Sequence, residues 1–310
     1  MLFRSFYAPG TLIEDAKRHG VEVRAIDLTR SSWDHVLERE DGRVLVPNDG
    51  TVSWGAPISP VPVAGGHRVA VRLGVRLVRG LGAKARRALE AALVDGPFRT
   101  VEDAVRRVTL DRAAWRQLAE AGAFDSMFMH EPPARRRRVA LWEVLAATRG
   151  PELPLAPMRP VAVPASLPAF APIELTEADY RLTGLSLVGH PVTHLRDVLA
   201  PNGVLTARDA IEHGYDGQRV AVAGLVICRQ RPGTAKGFVF LTLEDETGMI
   251  NIIITPDRFE EQAILISTSP LLLIRGTLQV EDKVVNVRAK QFRKLDLGGG
   301  ETHAKGRNFH

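Results

Sequence analysis

The C-terminal part of the chain carries the pattern that most restricts its fold. From residue 217 to residue 296, apolar and polar residues alternate with a period of two, which is typical of half-buried β-strands. Five such runs occur, and a helical stretch, Asp257–Ile266, separates the third run from the fourth. Three strands, a helix and two more strands is the order of an OB-fold, a small closed β-barrel. We therefore predict a five-stranded OB-fold over residues 217–296.

A different pattern precedes this predicted barrel. Residues 67–149 repeat apolar side chains at every third or fourth position, which predicts amphipathic helices. Thr100 and Asp103 have the spacing of a capping box at the start of one of them. Between Arg68 and Arg116 there are 12 basic and 5 acidic residues, whereas the net charge of the whole chain is +5. This local excess of positive charge favours a polyanionic partner, nucleic acid above all.

Seven prolines within residues 150–172 mark the boundary between the helical part and the rest of the chain. Their spacing of three or four residues excludes a helix and suits an extended linker. The fold class predicted for the whole chain is α+β with several domains. Its predicted parts are a helix with irregular β structure (1–66), the helical segment (67–149), the linker (150–172), a helical connector (173–216), the OB-fold (217–296) and a flexible tail (297–310).

Two glycines in the helical segment predict a first contact with DNA. Gly80 and Gly82 allow a tight turn that brings backbone N–H groups close to an anion, and the helix that follows points its N-terminal dipole at the same place. This is the arrangement of a helix-hairpin-helix motif. Gly122 separates two further helical pieces and predicts a second hairpin, although each turn is also compatible with an ordinary helix cap. The cations next to the first hairpin are Arg79, Lys84, Arg86 and Arg87.

A basic loop in the predicted barrel is the second candidate. Arg229, Arg231 and Lys236 fall between the first two strands, where an OB-fold borders its face for single-stranded nucleic acid. We expect these cations to follow phosphates. Phe238 and Phe240 are two residues apart and share a face. If they point outward they can stack on bases, and if they point inward they are core residues, which the small size of the barrel favours.

Other conspicuous residues have simpler explanations. The four adjacent arginines Arg135–Arg138 point in all directions around a helix, which leaves a solvated face or a phosphate contact open. Cys228 has apolar neighbours and is expected in the core of a strand. The acidic run Glu244–Glu246 is expected to be a solvated hairpin turn. His190 and His194 have no third ligand nearby, so no metal site is predicted, and no catalytic motif is found.

The motifs together resemble one known family. FYAPGTLIEDAKRHGVEVRAIDLTRSSWD, AVRLGVRLVRGLG, LAEAGAFD, DYRLTGLSLVGHPVTHLR and above all RQRPGTAKGFVFLTLEDETGMINIII resemble the C-terminal third of bacterial DnaE-type (C-family) DNA polymerase α subunits. The similarity is greatest to the error-prone, ImuC-like branch. It implies that residues 1–66 are a remnant of the fingers, that residues 67–149 are a tandem helix-hairpin-helix module for duplex DNA, and that the OB-fold binds single-stranded template.

The same resemblance implies a role in translesion DNA synthesis during DNA repair and damage-induced mutagenesis. The partners that it implies are DNA, an ImuB-like protein and, through that protein, the sliding clamp. It also implies that the PHP and palm domains lie outside this sequence, together with the divalent metal that a polymerase would use. No catalytic residue or cofactor is therefore assigned to this chain, and it is not expected to polymerise alone.

Three roles are compatible with these expectations. The chain can be a DNA-binding part without catalysis of its own, one half of a split polymerase that works with a separate N-terminal chain, or a remnant without function. No targeting signal or membrane-spanning stretch is visible, and the single cysteine fits a reducing compartment, so we expect a cytoplasmic protein without a membrane partner.

Overall fold

A computed structural model describes residues 9–39, 44–45, 69–149, 167–282, 284–296 and 307–309. The chain divides into two compact units, Met1–Ala171 with Leu182–Leu187, and Pro172–Arg181 with Val188–His310. Most of the predicted linker, residues 150–166, lies outside the described residues. Within them, no helix is long and apolar enough to cross a lipid bilayer.

The first unit combines a small sheet with a set of helices. Its helices are α1 (Pro9–Arg18), α2 (Ala83–Leu93), α3 (Val101–Arg107), α4 (Arg112–Glu120) and α5 (Pro133–Ala147). Its strands are β1 (Glu22–Arg24), β2 (Val36–Arg39), β3 (Val44–Leu45) and β4 (Val69–Arg72), in the order β1-β4-β2-β3. The predicted helices are confirmed, and the Thr100 hydroxyl accepts the Asp103 N–H at 3.0 Å, as a capping box requires.

One hydrophobic core holds this unit together. Trp115, Leu118 and Phe124 of the helical segment are fully buried in it, and Ile26 and Leu28 from the N-terminal segment join the same cluster. The sequence predicted a division at residue 66, but the described residues on both sides of that position share this core. Apolar burial on this scale supplies most of the folding free energy of such a unit.

The second unit is built on a closed barrel. Its helices are α6 (Pro172–Leu182), α7 (Arg196–Leu199), α8 (Ala207–Glu212), α9 (Pro256–Glu261) and α10 (Ala263–Thr268). Its strands are β5 (Val204–Leu205), β6 (Arg219–Gln230), β7 (Val239–Glu244), β8 (Met249–Ile254), β9 (Leu271–Glu281), β10 (Val284–Lys294) and β11 (Arg307–Phe309).

The barrel strands follow the order β6-β7-β8-β10-β9, and β9 pairs back onto β6. Only the β8–β10 pair among these five strands is parallel. This is the closed OB-fold that the sequence predicted, with α9 and α10 between the third and fourth strands of the barrel. Residues 307–309 of the predicted tail form strand β11, which runs parallel to Cys228–Gln230 of β6.

Two cores lie on opposite sides of β6 and β9. Alternate residues such as Val222 and Ile274 point into the barrel, whereas Ala223 and Leu271 point outward and pack against the connector residues that precede the barrel. The connector therefore covers the outer face of β6 and β9. Apart from Glu244, the outer faces of β7, β8 and β10 carry exposed or half-buried side chains.

Candidate nucleic-acid interface

The first hairpin presents an open turn at the start of α2. Gly80 has a φ of +87°, a backbone conformation that favours glycine, and its nearest neighbour is the flexible end of the Gln117 side chain. Gly82 occupies the N-cap position of α2 and provides no side chain to cap the helix. A Cβ atom at Gly82 would meet nothing within 4 Å. The N-terminus of α2 is therefore accessible to a ligand that approaches the backbone closely.

The predicted cations of this hairpin are exposed on the same end of α2. Lys84 and Arg87 are exposed, and Arg87 Nε makes a long contact of 3.4 Å with the Ala83 carbonyl of its own helix. Arg86 donates to Glu90 at 2.8 Å in an ion pair that is about half exposed on both sides. Exposed pairs of this kind contribute little stability, so Arg86 can exchange Glu90 for a phosphate at low cost. Arg79 is exposed as well.

The second hairpin has a different environment. Gly122 is buried with a φ of +79°, and the position of its missing Cβ lies 2.7 Å from Nη2 of Arg137. The next residue, Ala123, accepts a hydrogen bond of 2.7 Å from the Leu28 N–H. This turn is thus occupied by the protein's own chain. The prediction that Gly122 contacts DNA is corrected to a structural role in which a small residue permits close packing.

The arginines Arg135–Arg138 of α5 are also engaged with the protein. Arg136 donates to the Glu131 carbonyl at 3.0 Å, Arg137 is 8% exposed and lies 3.6 Å from Asp125, and the Arg138 guanidinium stacks 3.8 Å from the centre of the Phe170 ring. The side chains do point in different directions, as expected. Arg137 is buried and the other three are half-buried, so these side chains are only partly solvated.

Arg229 differs most from its predicted position. Its residue exposure is 8%, and it donates to the Ile266 carbonyl at 3.0 Å and to the Ser269 carbonyl. These carbonyls belong to the C-terminal end of α10, where helix carbonyls lack partners within the helix. Burial lowers the pKa of the Arg229 guanidinium, and the two carbonyls replace part of its lost hydration. Arg229 therefore holds α10 against the barrel and is removed from the predicted interface.

A β-bulge explains why Arg229 points inward. The β6–β7 register shifts between Val226 and Cys228. Val226 belongs to the barrel core, and strict alternation would place Cys228 inside and Arg229 outside. The extra residue reverses this order. Cys228 consequently lies opposite Thr242 on the outer face, half-buried rather than in the core, and burial raises the pKa of its thiol.

The other two loop cations are exposed in the connection between β6 and β7. Arg231 is exposed, and its guanidinium lies over the Phe259 ring of α9 at 4.9 Å from the ring centre. This cation–π contact positions the charge beside the barrel without neutralising it. Lys236 is exposed at a φ of +48° in the same loop. Both cations are therefore available to an anionic ligand.

The phenylalanines are not core residues. Along β7, Val239, Leu241 and Leu243 are buried in the barrel, so Phe240 points outward and is half-buried. Phe238 precedes the strand and is also partly exposed. Of the two orientations that the sequence left open, Phe240 has the outward one, because three aliphatic residues of the same strand fill the barrel interior. Phe240 presents part of its ring to solvent, where a base can stack.

Strand register extends this surface beyond the predicted residues. Phe240 lies opposite Gln230 on one side and Ile253 on the other, and Ile253 lies opposite Arg288 of β10. Ile253 is half-buried and Arg288 is exposed. We call these four residues the stacking row. The sequence signal for Ile253 and Arg288 was the period-two alternation, but assigning the outward face required the register between strands.

The acidic run is part of the framework of the second unit. Glu244 and Asp245 are 3% and 2% exposed, which corrects the expected solvated turn. Asp245 accepts the Ala207 N–H of α8 at 2.7 Å, and Arg196 of α7 donates to Glu246 at 2.6 Å. These contacts hold the β7–β8 turn to the helical connector. The acidic run therefore contacts protein donors, and it lies at the end of β7 that is opposite to the basic loop.

The histidines are bound to neighbouring groups. His190 Nδ1 accepts the Val192 N–H at 3.2 Å, and His194 Nε2 lies 2.9 Å from the Thr176 hydroxyl. In the part of the chain that the structure describes, no group of three or more His, Cys, Asp or Glu residues is arranged to hold a metal ion.

Comparisons with known proteins find a known motif or domain in each of the two units. A helix-hairpin-helix motif model matches residues 20–137, and a model of the OB-fold nucleic acid binding domain matches residues 220–295. The chain is similar to the C-terminal helix-hairpin-helix and OB-fold region of error-prone DNA polymerases. An error-prone DNA polymerase from Anaeromyxobacter sp. (strain K) is 40% identical over 305 residues, which are 98% of this chain and 25% of the relative.

Two further relatives show similar coverage. The error-prone DNA polymerase of Burkholderia pseudomallei (strain K96243) is 39% identical over 307 residues, covering 98% of this chain and 26% of the relative. Error-prone DNA polymerase 2 of Rhizobium meliloti (strain 1021) is 38% identical over 303 residues, covering 94% of this chain and 25% of the relative. The chain thus spans about a quarter of the length of the curated relatives that it matches.

Proposed function

We propose that this chain is the DNA-holding part of an error-prone DNA polymerase. The first hairpin binds the backbone of the duplex through the N-terminus of α2 and the exposed cations Lys84 and Arg87. The open face of the barrel binds the single-stranded template through Phe240, Arg231 and Lys236. The observation that carries the proposal is the pairing of an accessible hairpin with an open, partly aromatic OB face, on a chain similar to these polymerases.

The reaction served is DNA-directed DNA synthesis, with translesion synthesis in DNA repair and damage-induced mutagenesis as the specific task. The phosphodiester bond is then formed by the palm domain, which the resemblance implies lies outside this sequence. An ImuB-like protein and the sliding clamp are the partners that bring this part to DNA. Because its ligand is DNA, we propose that the protein acts in the cytoplasm of a bacterial cell.

Binding to separate duplex and single-stranded oligonucleotides tests the assignment of the two units. The double variant Lys84→Ala with Arg87→Ala should weaken duplex binding more than single-strand binding. The double variant Arg231→Ala with Lys236→Ala should weaken single-strand binding more than duplex binding. Each lost phosphate contact should reduce the slope of log K against log salt by about one. Arg106→Ala is the control, because this exposed arginine of α3 pairs with Asp103 away from the hairpin.

Fluorescence anisotropy over a range of salt concentrations gives both affinities and slopes. Equal losses on both ligands from either double variant would contradict the division of labour between the units. Failure of the unmodified chain to bind either oligonucleotide at low salt would contradict the proposal as a whole.

A further inference from the structure

A row of uncharged polar residues crosses the open face of the barrel beside the stacking row. Cys228 lies opposite Thr242, Thr242 opposite Asn251, and Asn251 opposite Asn286. Gln279 of β9 continues the row opposite Asn286. Opposite residues on adjacent strands have Cβ atoms about 5 Å apart, so neighbouring side chains in this row are within contact range. We call Thr242, Asn251 and Asn286 the polar row.

We propose that the polar row discriminates between the bases of single-stranded DNA by hydrogen bonding to their edges. This inference rests on the proposed binding of single strands by the barrel. It adds to that function a specificity that the cations and the aromatic ring do not provide.

The position of the polar row suits a base edge. Thr242 and Asn251 each lie two residues along their strand from Phe240 and Ile253, which places both rows on the same face. Two residues of extended strand span about 7 Å. This distance is comparable to the width of a nucleobase, so a base that stacks on Phe240 turns an edge toward the polar row.

The side-chain chemistry suits the same ligand. An amide provides a donor and an acceptor in one plane and can pair with the two adjacent polar atoms of a base edge. The Thr242 hydroxyl donates to Asn251 Oδ1 at 3.2 Å, which directs the Asn251 Nδ2 donors away from Thr242. Asn251 is exposed and Asn286 is half-buried. A preoriented amide loses less conformational freedom when it binds a base.

Stacking on Phe240 cannot provide this discrimination. Every base has a π-face, so stacking on Phe240 tolerates any sequence. The cations Arg231, Lys236 and Arg288 are suited to the phosphates, which are the same for all bases. Uncharged donors and acceptors next to the stacked base are therefore the groups on this face that can distinguish one base from another.

Affinities for three homopolymers test the inference. The full chain is titrated against labelled oligo-dT, oligo-dC and oligo-dA of about 12 nucleotides, a length within the site sizes known for OB-folds. The dissociation constants of the unmodified chain should differ by about two- to tenfold, which is what one hydrogen bond contributes. In Asn251→Ala the three constants should converge, chiefly through weaker binding of the preferred oligonucleotide.

Two further variants separate specificity from affinity and from folding. Phe240→Ala should weaken binding to all three oligonucleotides by a similar factor and preserve their ratios. Asn202→Ala removes an exposed asparagine outside the barrel strands and should change neither affinity nor ratios. Thermal unfolding of each variant shows whether the barrel remains folded.

Three outcomes would overturn the inference. Equal affinity of the unmodified chain for all three oligonucleotides, or unchanged ratios in Asn251→Ala, would exclude a discriminating polar row while leaving single-strand binding intact. The absence of any binding to the three oligonucleotides at low salt would instead contradict the proposed function of the barrel, and the polar row with it.

Discussion

Arg229 and Arg231 are two residues apart and have different roles. Arg229 is buried and donates to carbonyls at the end of α10, whereas Arg231 is exposed and stacks on Phe259 of α9. The same basic stretch thus fixes the helices beside the barrel and leaves a charge for a ligand. A buried guanidinium is tolerated here because backbone acceptors replace its water.

Replacement of each arginine by methionine should separate these roles. Arg229→Met leaves two buried carbonyls without a donor, so we expect a loss of about 2–3 kcal/mol in unfolding free energy. Arg231→Met should change stability by less than about 0.5 kcal/mol and should weaken single-strand binding instead. Chemical denaturation followed by circular dichroism, together with oligonucleotide titrations, measures both effects. A stable Arg229→Met protein with weakened DNA binding would reverse the assignment.

One inserted residue explains two wrong predictions in β6. Alternation counted from the start of the strand places Cys228 inside and Arg229 outside, and the bulge after Val226 exchanges them. A bulge leaves little trace in a single sequence, because it depends on how the neighbouring strand pairs. The orientation of Phe240 stayed open for a related reason. Its face could be assigned only after Val239 and Leu241 were seen to fill the barrel.

At the scale of elements, the order of helices and strands was predictable because each element carries its own periodicity. The capping box at Thr100 and the five strands of the barrel needed no distant information. The partners of the turns were not predictable in this way. Gly122 packs against Arg137, and Asp245 caps α8 through the Ala207 N–H, and both contacts join segments that are separated in sequence.

The small sheet of the first unit depends on one buried carboxylate. The Glu38 side chain of β2 is 1% exposed and accepts hydrogen bonds of 2.9 Å from Nε and Nη2 of Arg72 in β4, and one of 3.0 Å from Arg24 in β1. Burial acts to raise the pKa of Glu38, but the two arginines outweigh it, and the net pKa is lowered. The three strands are therefore joined by an ionised group.

This carboxylate predicts a specific response to acid. Because its pKa is lowered in the folded state, its contribution is present above the unfolded pKa and is lost as the pH falls through the folded value. Glu38→Gln should cost about 3 kcal/mol at neutral pH, since the buried Arg72 guanidinium loses its carboxylate partner and Arg24 loses one of its two carboxylates. The variant should also remove that part of the acid dependence.

Tryptophan fluorescence is the measurement for this variant, because all four tryptophans precede residue 150 and therefore report the first unit. Glu22→Gln is the matched control. Its carboxylate also pairs with Arg24, at 2.8 Å, but is 53% exposed, so we expect a change below about 1 kcal/mol. Equal destabilisation by both variants would show that burial of the pair has no special role.

At the scale of the whole molecule, the proposed function requires both units to bind one DNA. A primed template with a single-stranded overhang offers a duplex to the first hairpin and a template strand to the barrel. When two modules of one chain bind one ligand, the second contact is intramolecular and the combined affinity can rise by about a hundredfold or more. We therefore expect the junction to bind at least about tenfold more tightly than either the duplex or the single strand alone.

Variants in one unit should reveal this coupling. Lys84→Ala with Arg87→Ala should reduce junction affinity toward that of the single strand, and Arg231→Ala with Lys236→Ala should reduce it toward that of the duplex. Anisotropy titrations with three matched oligonucleotides provide the comparison at one salt concentration, which is essential because phosphate contacts are screened by salt. If the junction binds no more tightly than the better of its two parts, the units do not act on the same DNA. The helix-hairpin-helix and the OB-fold would then bind separate strands, and holding a primer–template would not be the role of this chain.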